Sequence, residues 1–214
     1  RLYSTAQGVY DCVLNGVQVG PDRLAPGWTS YSHRLRYQMH DVTALLRPGA
    51  NVLAARLADG WFAGRLGWWQ GGLRHNYGPR VGLVAQLELT LKDGSVRHVT
   101  TDAGWRSGPG GIRATSFYDG ETFVQDAEPD GWDLPSFDDS AWSPVEVADL
   151  PQAELVGPQF APIQIVGSRP VEQWLTSPSG RLIADFGQVV TGHLRFVLAG
   201  RAGSEVCVRV AEVL

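Results

Sequence analysis

The chain of 214 residues carries 18 basic and 22 acidic side chains for a formal charge of −4, and without a run of like charges it lacks the electrostatic footprint of a nucleic-acid binder. No apolar run approaches the roughly 20 residues of a membrane span, and no charged-then-apolar leader opens the sequence. Two cysteines, Cys12 and Cys207, cannot be paired on spacing alone, and the five histidines show neither helical pair spacing nor a cysteine neighbour, which leaves a disulfide framework and a zinc site without support.

In chain order, residues 8–16 alternate Tyr10, Cys12 and Leu14 against Val9, Asp11 and Val13, then meet Asn15-Gly16, the strongest short-range signal for a two-residue hairpin turn. Residues 17–19 return the strand. The segment 41–47 has room for one or two helical turns before Pro48-Gly49 ends it. Strands are predicted over 51–57 and 81–91, the latter alternating Val81, Leu83, Ala85, Leu87, Leu89 and Leu91 as a strand with one core face should. A turn at Lys92–Ser95 leads into a further strand over 96–101. From 131 to 145 the pattern is looped, with Trp132, Phe137 and Trp142 expected as anchors closing a core and Asp138-Asp139 as turn caps. Pro144, Pro151, Pro158 and Pro162 mark an extended connection, after which strands are predicted over 181–187, 193–198 and 205–210.

Turn signals every eight to twelve residues and the lack of a long amphipathic helix predict an all-β chain. Residues 1–150 are expected as a β-sandwich or jelly roll, the latter being what the resemblance described below implies, and 151–214 as a linker with part of a second β-sandwich. The sequence starts at Arg1 and stops at Leu214 inside apparent strands, so a piece of a longer polypeptide is expected. Of its basic residues only Lys92 is lysine, a bias that a GC-rich genome explains better than a need for guanidinium chemistry. Cytoplasmic and secreted residence both remain open.

Five linked motifs carry a resemblance: YDCVLNGVQVGPDRLAPGWTSYSHRLRYQMHDVTALLRPGANVL, ADGWFAGRLG, YDGETF, GWDLPSFDDSAW and DFGQVVTGHLRFVLAGRAGSEVCVRVAEVL. In this order they resemble the non-catalytic N-terminal region of bacterial α-L-rhamnosidases. The piece LNGVQVG…HDVTALLRPGANVL taken alone is also similar to the sugar-binding, galactose-binding-like jelly roll that precedes the barrel of β-galactosidases and β-glucuronidases. Either resemblance implies an accessory β-sandwich of a glycoside hydrolase. The rhamnosidase resemblance further implies a C-terminal catalytic α/α barrel that uses two acidic residues in an inverting hydrolysis. Nothing here matches that barrel, so no catalytic residue is assigned and the piece is expected to be inactive alone. Its implied partners are a rhamnose-containing glycan or glycoside and its own catalytic barrel.

The stretch LADGWFAGRLGWWQGGLRHNYG at 57–78 gathers the binding candidates. Trp61, Trp68, Trp69 and Tyr77 can stack on the apolar side of a pyranose, and Arg65, Arg74 and Asn76 can donate hydrogen bonds to its hydroxyls. The alternative is structural, with the rings packed under their loop or against the barrel. Trp61 is expected to be the most buried, because Leu57, Asp59 and Trp61 continue one strand face. Asp119 and Glu121, two apart on an extended chain, can point the same way toward a sugar or a cation, although a solvated turn is the default reading and no full calcium loop is present. Part of the rhamnosidase family uses a sandwich of this type as a calcium-dependent rhamnose-binding module, so the resemblance leaves Ca2+ open as a ligand. Asp185-Phe186-Gly187 lacks every other element of a kinase site and reads as a strand segment. Cys12 reads as a small core residue.

Overall fold

The computed structural model describes residues 1–67, 69, 71–149 and 153–212, and the chain is nearly all β. It divides into two compact units, Arg1–Gln164 and Ile165–Leu214.

Two sheets organise the first unit. Strand β1 (Leu2–Gln7) lies between β5 (Gln38–His40) and β7 (Gly82–Thr90), and β8 (Val96–Thr100) adds to the far edge of β7. The antiparallel register sets Leu2 against Leu87, Ser4 against Ala85 and Ala6 against Leu83. In the second sheet β2 (Val9–Leu14) lies between β3 (Val17–Gln18) and β6 (Leu53–Ala58). Side chains of a strand alternate between its faces, so each sheet turns one apolar row inward. Leu2, Ala6, Ala85 and Leu87 from the first sheet and Tyr10, Cys12 and Leu14 from the second form a single buried cluster, with Leu53, Ala55 and Leu57 packed against it. Each large side chain so buried contributes about 1.5–3 kcal/mol. Burial also pushes the Cys12 thiol up to about 11, so the residue sits in the core as an un-ionised thiol.

The chain passes from the first sheet to the second at one residue. Gly8 stands between β1 and β2 at φ +133, and a Cβ there would run into the carbonyl oxygen of Ala58 on β6. The predicted hairpin turn follows. Asn15 and Gly16 both have positive φ, +54 and +81, as a turn that matches the strand twist requires. Asn15 is also 2% exposed, and its amide is fully used. Nδ2 donates to the Leu45 carbonyl at 2.9 Å and to Asn51 Oδ1 at 2.7 Å, while Oδ1 accepts from the Val52 amide at 2.9 Å. Asn51 in turn closes its own loop, accepting from the Arg47 amide and donating to the Arg47 and Gly49 carbonyls. The predicted helical segment is a single 3-10 turn, Thr43–Leu45, fastened by Asp41 Oδ1, which accepts from the Thr43 amide and hydroxyl.

Smaller pairs complete the unit: β4 (Arg34–Arg36) with β13 (Glu154–Val156) in parallel, β9 (Arg106–Ser107) with β12 (Ser143–Pro144), and the hairpin β10 (Ile112–Ser116) with β11 (Gly120–Phe123). The β4–β13 pair and the hydrogen bond from the Arg23 amide to the Ile163 carbonyl hold the segment after Ala153 onto the first unit. Trp132, Phe137 and Trp142 do not close the core. They are half-buried outside both core clusters and line an open cleft together with Leu53, Leu57 and Leu83. Phe137 and Trp142 pack on each other at 5.2 Å, and Trp132 lies under the Arg56 guanidinium at 4.8 Å.

In the second unit β14 (Gln173–Thr176) pairs with β15 (Leu182–Asp185). The strands predicted over 193–198 and 205–210 are not formed among the described residues. Alternation makes a segment suitable for a sheet, but a strand also needs a neighbour to exchange backbone hydrogen bonds with. Val197 and Val210 accordingly stay 93% and 81% exposed.

Replacing Asn15 by alanine leaves the Val52 amide and Leu45 carbonyl without their partner and forces a Cβ-bearing residue without a polar side chain to hold positive φ. The expected loss is about 2–4 kcal/mol in the urea unfolding of the full chain. Asn15→Gly, which tolerates the turn, should recover about 1 kcal/mol of it.

Candidate functional site

Strand β6 ends at Ala58, and Gly60 at φ +53 turns the chain into one helical turn, Gly60–Ala63. The side-chain period changes there from 2 to 3.6 residues. Phe62 and Ala63 therefore point inward and are buried, while Trp61 is half-buried, which corrects the expectation that Trp61 continues the β6 face into the core. Phe62 and Ala63 join Tyr31 and Leu35 in a second apolar cluster, against which Trp61, Tyr77 and Val81 pack. Tyr31 meets Phe62 edge-on at 5.2 Å and Tyr77 at 4.9 Å, and its hydroxyl donates to the Gly27 carbonyl at 3.2 Å.

A run of rings lies over this cluster. Trp28 and Trp61 are parallel within 5° at 6.3 Å, and Trp61 stacks on Phe117 at 4.3 Å. Trp28 is 51% exposed and Phe117 43%. The Trp28 indole N–H donates to the Tyr77 hydroxyl at 3.2 Å, which fixes the outer ring. Trp28, Tyr31 and Phe117 are absent from the residues singled out in the sequence. Their local signal is only an aromatic beside a glycine or aspartate turn, in PGWTSY and SFYDG.

The Gly-rich loop forms a lobe beside the rings. Leu66 and Leu73 exchange both backbone hydrogen bonds, at 2.7 and 2.9 Å. Trp69 is 57% exposed, and its indole covers Gly67, where any Cβ would collide with the ring. Trp68 lies outside the described residues. Arg65 grips Asp119 with both edges, Nη2 to Oδ1 at 2.9 Å and Nε to Oδ2 at 3.2 Å, and its guanidinium lies 5.1 Å from the Tyr118 ring centre. Arg74 Nη2 reaches the same Oδ2 at 3.2 Å, and the Ser116 hydroxyl donates to it at 3.0 Å. The Ser116 hydroxyl, with the Arg65 and Arg74 guanidiniums, holds the Asp119 carboxyl below the usual aspartate range.

Asp119 and Glu121 therefore do not work as a pair. Asp119 sits in the β10–β11 turn facing two cations, while Glu121 is exposed on β11 opposite Thr115. No group of three or more His, Cys, Asp or Glu side chains that could hold a metal ion occurs among the described residues. Asn76 is exposed on the same loop and makes no hydrogen bond to the Arg65–Asp119 group among the described residues. The structure thus brings Trp61 and Tyr77 into the ring assembly and Arg65, Arg74 and Asp119 into an ionic brace, and leaves Asn76 and Glu121 apart from both.

Residues 1–167 match the model of the alpha-L-rhamnosidase N-terminal domain. The chain belongs to this family. Residues 175–214 match the bacterial alpha-L-rhamnosidase concanavalin-like domain. The alpha-L-rhamnosidase of Streptomyces avermitilis is 42% identical over 215 residues, which cover all of this chain and 21% of that protein. That of Alteromonas sp. (strain LOR) is 37% identical over 219 residues, covering all of this chain and 23% of the relative. Among solved structures, the Streptomyces avermitilis alpha-L-rhamnosidase complexed with L-rhamnose aligns with a TM-score of 0.82 at 42% identity over 87% of this chain and 18% of that one. The native enzyme from Aspergillus terreus aligns with a TM-score of 0.84 at 36% identity over 87% and 22%. The chain thus spans about a fifth of the length of the curated relatives it matches, in each of which the region is one part of a single longer chain.

Because the Asp119 pKa is depressed on folding, the tie to Arg65 and Arg74 is fully present above about pH 4, the ordinary aspartate value, and is lost as acid carries the pH down through the depressed folded value. Near-ultraviolet circular dichroism of the adjacent rings should show this acid transition in the native chain. In the Asp119→Asn variant the transition should be absent.

Proposed function

We propose that this region of an alpha-L-rhamnosidase is an accessory module that takes up rhamnose-containing glycan on the Trp28–Trp61–Phe117 platform and presents it to a catalytic barrel in the same polypeptide. The observation that carries the proposal is three successive aromatic rings, the outer two about half exposed, next to a braced pair of arginines. Rhamnose is a 6-deoxy sugar, so it offers a methyl group and a face of C–H bonds to an indole, and its hydroxyls can accept from Arg74. The solved relative complexed with L-rhamnose supports this choice of sugar. Hydrolysis itself belongs, on this reading, to the barrel, and no residue of this chain is given a catalytic role. The two sheets that share one core favour a jelly-roll sandwich for residues 1–150, and 151–214 a linker with part of a second sandwich.

Calorimetric titration with L-rhamnose tests the proposal. Millimolar affinity is expected in the native chain, and Trp28→Ala, which removes the exposed end of the platform, should weaken it at least about fivefold. An absence of heat and of chemical-shift change at millimolar sugar would leave only a structural role.

One observation favours an additional architectural role. In Ile165–Leu214 the side chains of Val166, Val197 and Val210 are exposed by 101%, 93% and 81%, more apolar surface than an isolated unit keeps in water. We infer that these residues pack against further parts of the same polypeptide. Sedimentation of this chain should show self-association that rises with concentration, and its absence would remove the inference.

A further inference from the structure

We propose that the open cleft next to the platform holds the aglycone of a rhamnoside, and that the aglycone it fits is aliphatic; this rests on the reading of the platform as a rhamnose site. The cleft measures about 1540 Å3, above the roughly 300–1,000 Å3 of a usual small-ligand pocket. Leu53 and Leu57 of β6 and Leu83 of β7 line it from the two sheets, and Trp132, Phe137 and Trp142 line it from the looped segment. All six are half-buried. Apolar side chains gathered along an accessible groove mark a place where a ligand can bind. The rings are also held in position. Trp132 lies under the Arg56 guanidinium at 4.8 Å, Arg106 Nη1 donates to the Trp142 carbonyl at 2.7 Å, and the Trp142 indole covers Gly108, where any Cβ would collide with it.

The chemistry of the lining selects the ligand. Arg56 pairs with Glu128, Arg80 with Glu146 at 2.9 Å and Arg106 with Asp139 at 3.9 Å. These lining cations are already matched and do not call for an anion. A further sugar ring laid against the three leucines would leave hydroxyls without partners, which costs binding, whereas an alkyl group brings no polar atom to satisfy. Phe137 and Trp142 are inclined to each other by 60°, so they form no parallel slot for a flat aromatic group, and a flexible alkyl chain can follow both the rings and the leucines. Continuity with the platform is direct. Phe117, which stacks on Trp61 at 4.3 Å, lines the cleft as well, and so does Gly60, the residue before Trp61. A rhamnose held by these rings is thus next to the cleft, and the group on its anomeric carbon is the part that can enter.

The test uses the full chain and four ligands, each kept below the concentration at which it forms micelles: methyl, butyl and octyl α-L-rhamnoside, and octyl β-D-glucoside. Each methylene taken fully out of water strengthens binding about fourfold, so butyl rhamnoside should bind at least about tenfold tighter than the methyl compound, and octyl rhamnoside tighter still. Octyl glucoside should bind more weakly than octyl rhamnoside. W132A and W142A should each flatten the dependence on alkyl length and leave the affinity for methyl α-L-rhamnoside unchanged, which also shows that the variants fold. Equal binding of methyl and octyl rhamnoside by the native chain overturns the proposal and leaves the platform standing. A length dependence that survives in both variants overturns it too and assigns the alkyl group to another surface. If octyl glucoside binds as tightly as octyl rhamnoside, or if none of the four binds, the platform reading itself fails and this one with it.

Discussion

The Asn15 amide is the tie on which the arrangement of the first unit depends. It occupies a position where positive φ is needed, and it spends its donor and acceptor on three segments that are remote in sequence: the 3-10 turn at Leu45, the loop closed by Asn51, and Val52 at the entrance to β6. A buried amide earns its place only when every one of its polar atoms is matched. Here the matching fixes where β6 begins. Because β6 then runs six residues beside β2 and ends at Ala58, the helical turn that carries Trp61 and Phe62 is placed as well. A turn at one end of the sheet thereby determines where the rings stand at the other.

Gly8 acts on the same axis. Two sheets can share a core only if the chain moves between them, and β1 and β2 do so with one residue between them. Such a short passage needs backbone angles that a Cβ would oppose, and it needs the Ala58 carbonyl close by. Both conditions fall next to the end of β6, so the crossing and the start of the platform are packed together. The glycines flanking the aromatic segment are therefore read first as steric requirements of the scaffold.

Much of this scaffold was legible in the sequence because its signals are local. The Asn15-Gly16 turn, the alternation of β2 and β7, the short helical turn before Pro48 and the turn at Lys92–Ser95 all lie within a few residues of the features they specify. The site was less legible because its contacts are not local. Trp28 and Tyr77 are 49 positions apart, and Arg65 and Asp119 are 54 apart. Asp119 reads in the sequence as open to a sugar or a cation, whereas in the fold it pairs with Arg65 and Arg74. Trp61 looked buried because a strand period was carried past the residue where the backbone turns helical. Alternation at 193–198 and 205–210 registers amphipathic character but cannot supply a neighbouring strand. The same limit applies to Trp132, Phe137 and Trp142, whose size suggested core and whose surroundings made them a flank.

The scarcity of lysine gives the hairpin between β7 and β8 a practical use. Lys92 is the sole lysine and stands exposed in that turn, whereas the opposite end of β7 begins beside Val81 in the aromatic cluster. A nine-residue strand separates these ends by about 30 Å. A reagent that acylates the Lys92 amine would thus attach its label at the end of β7 remote from the rings.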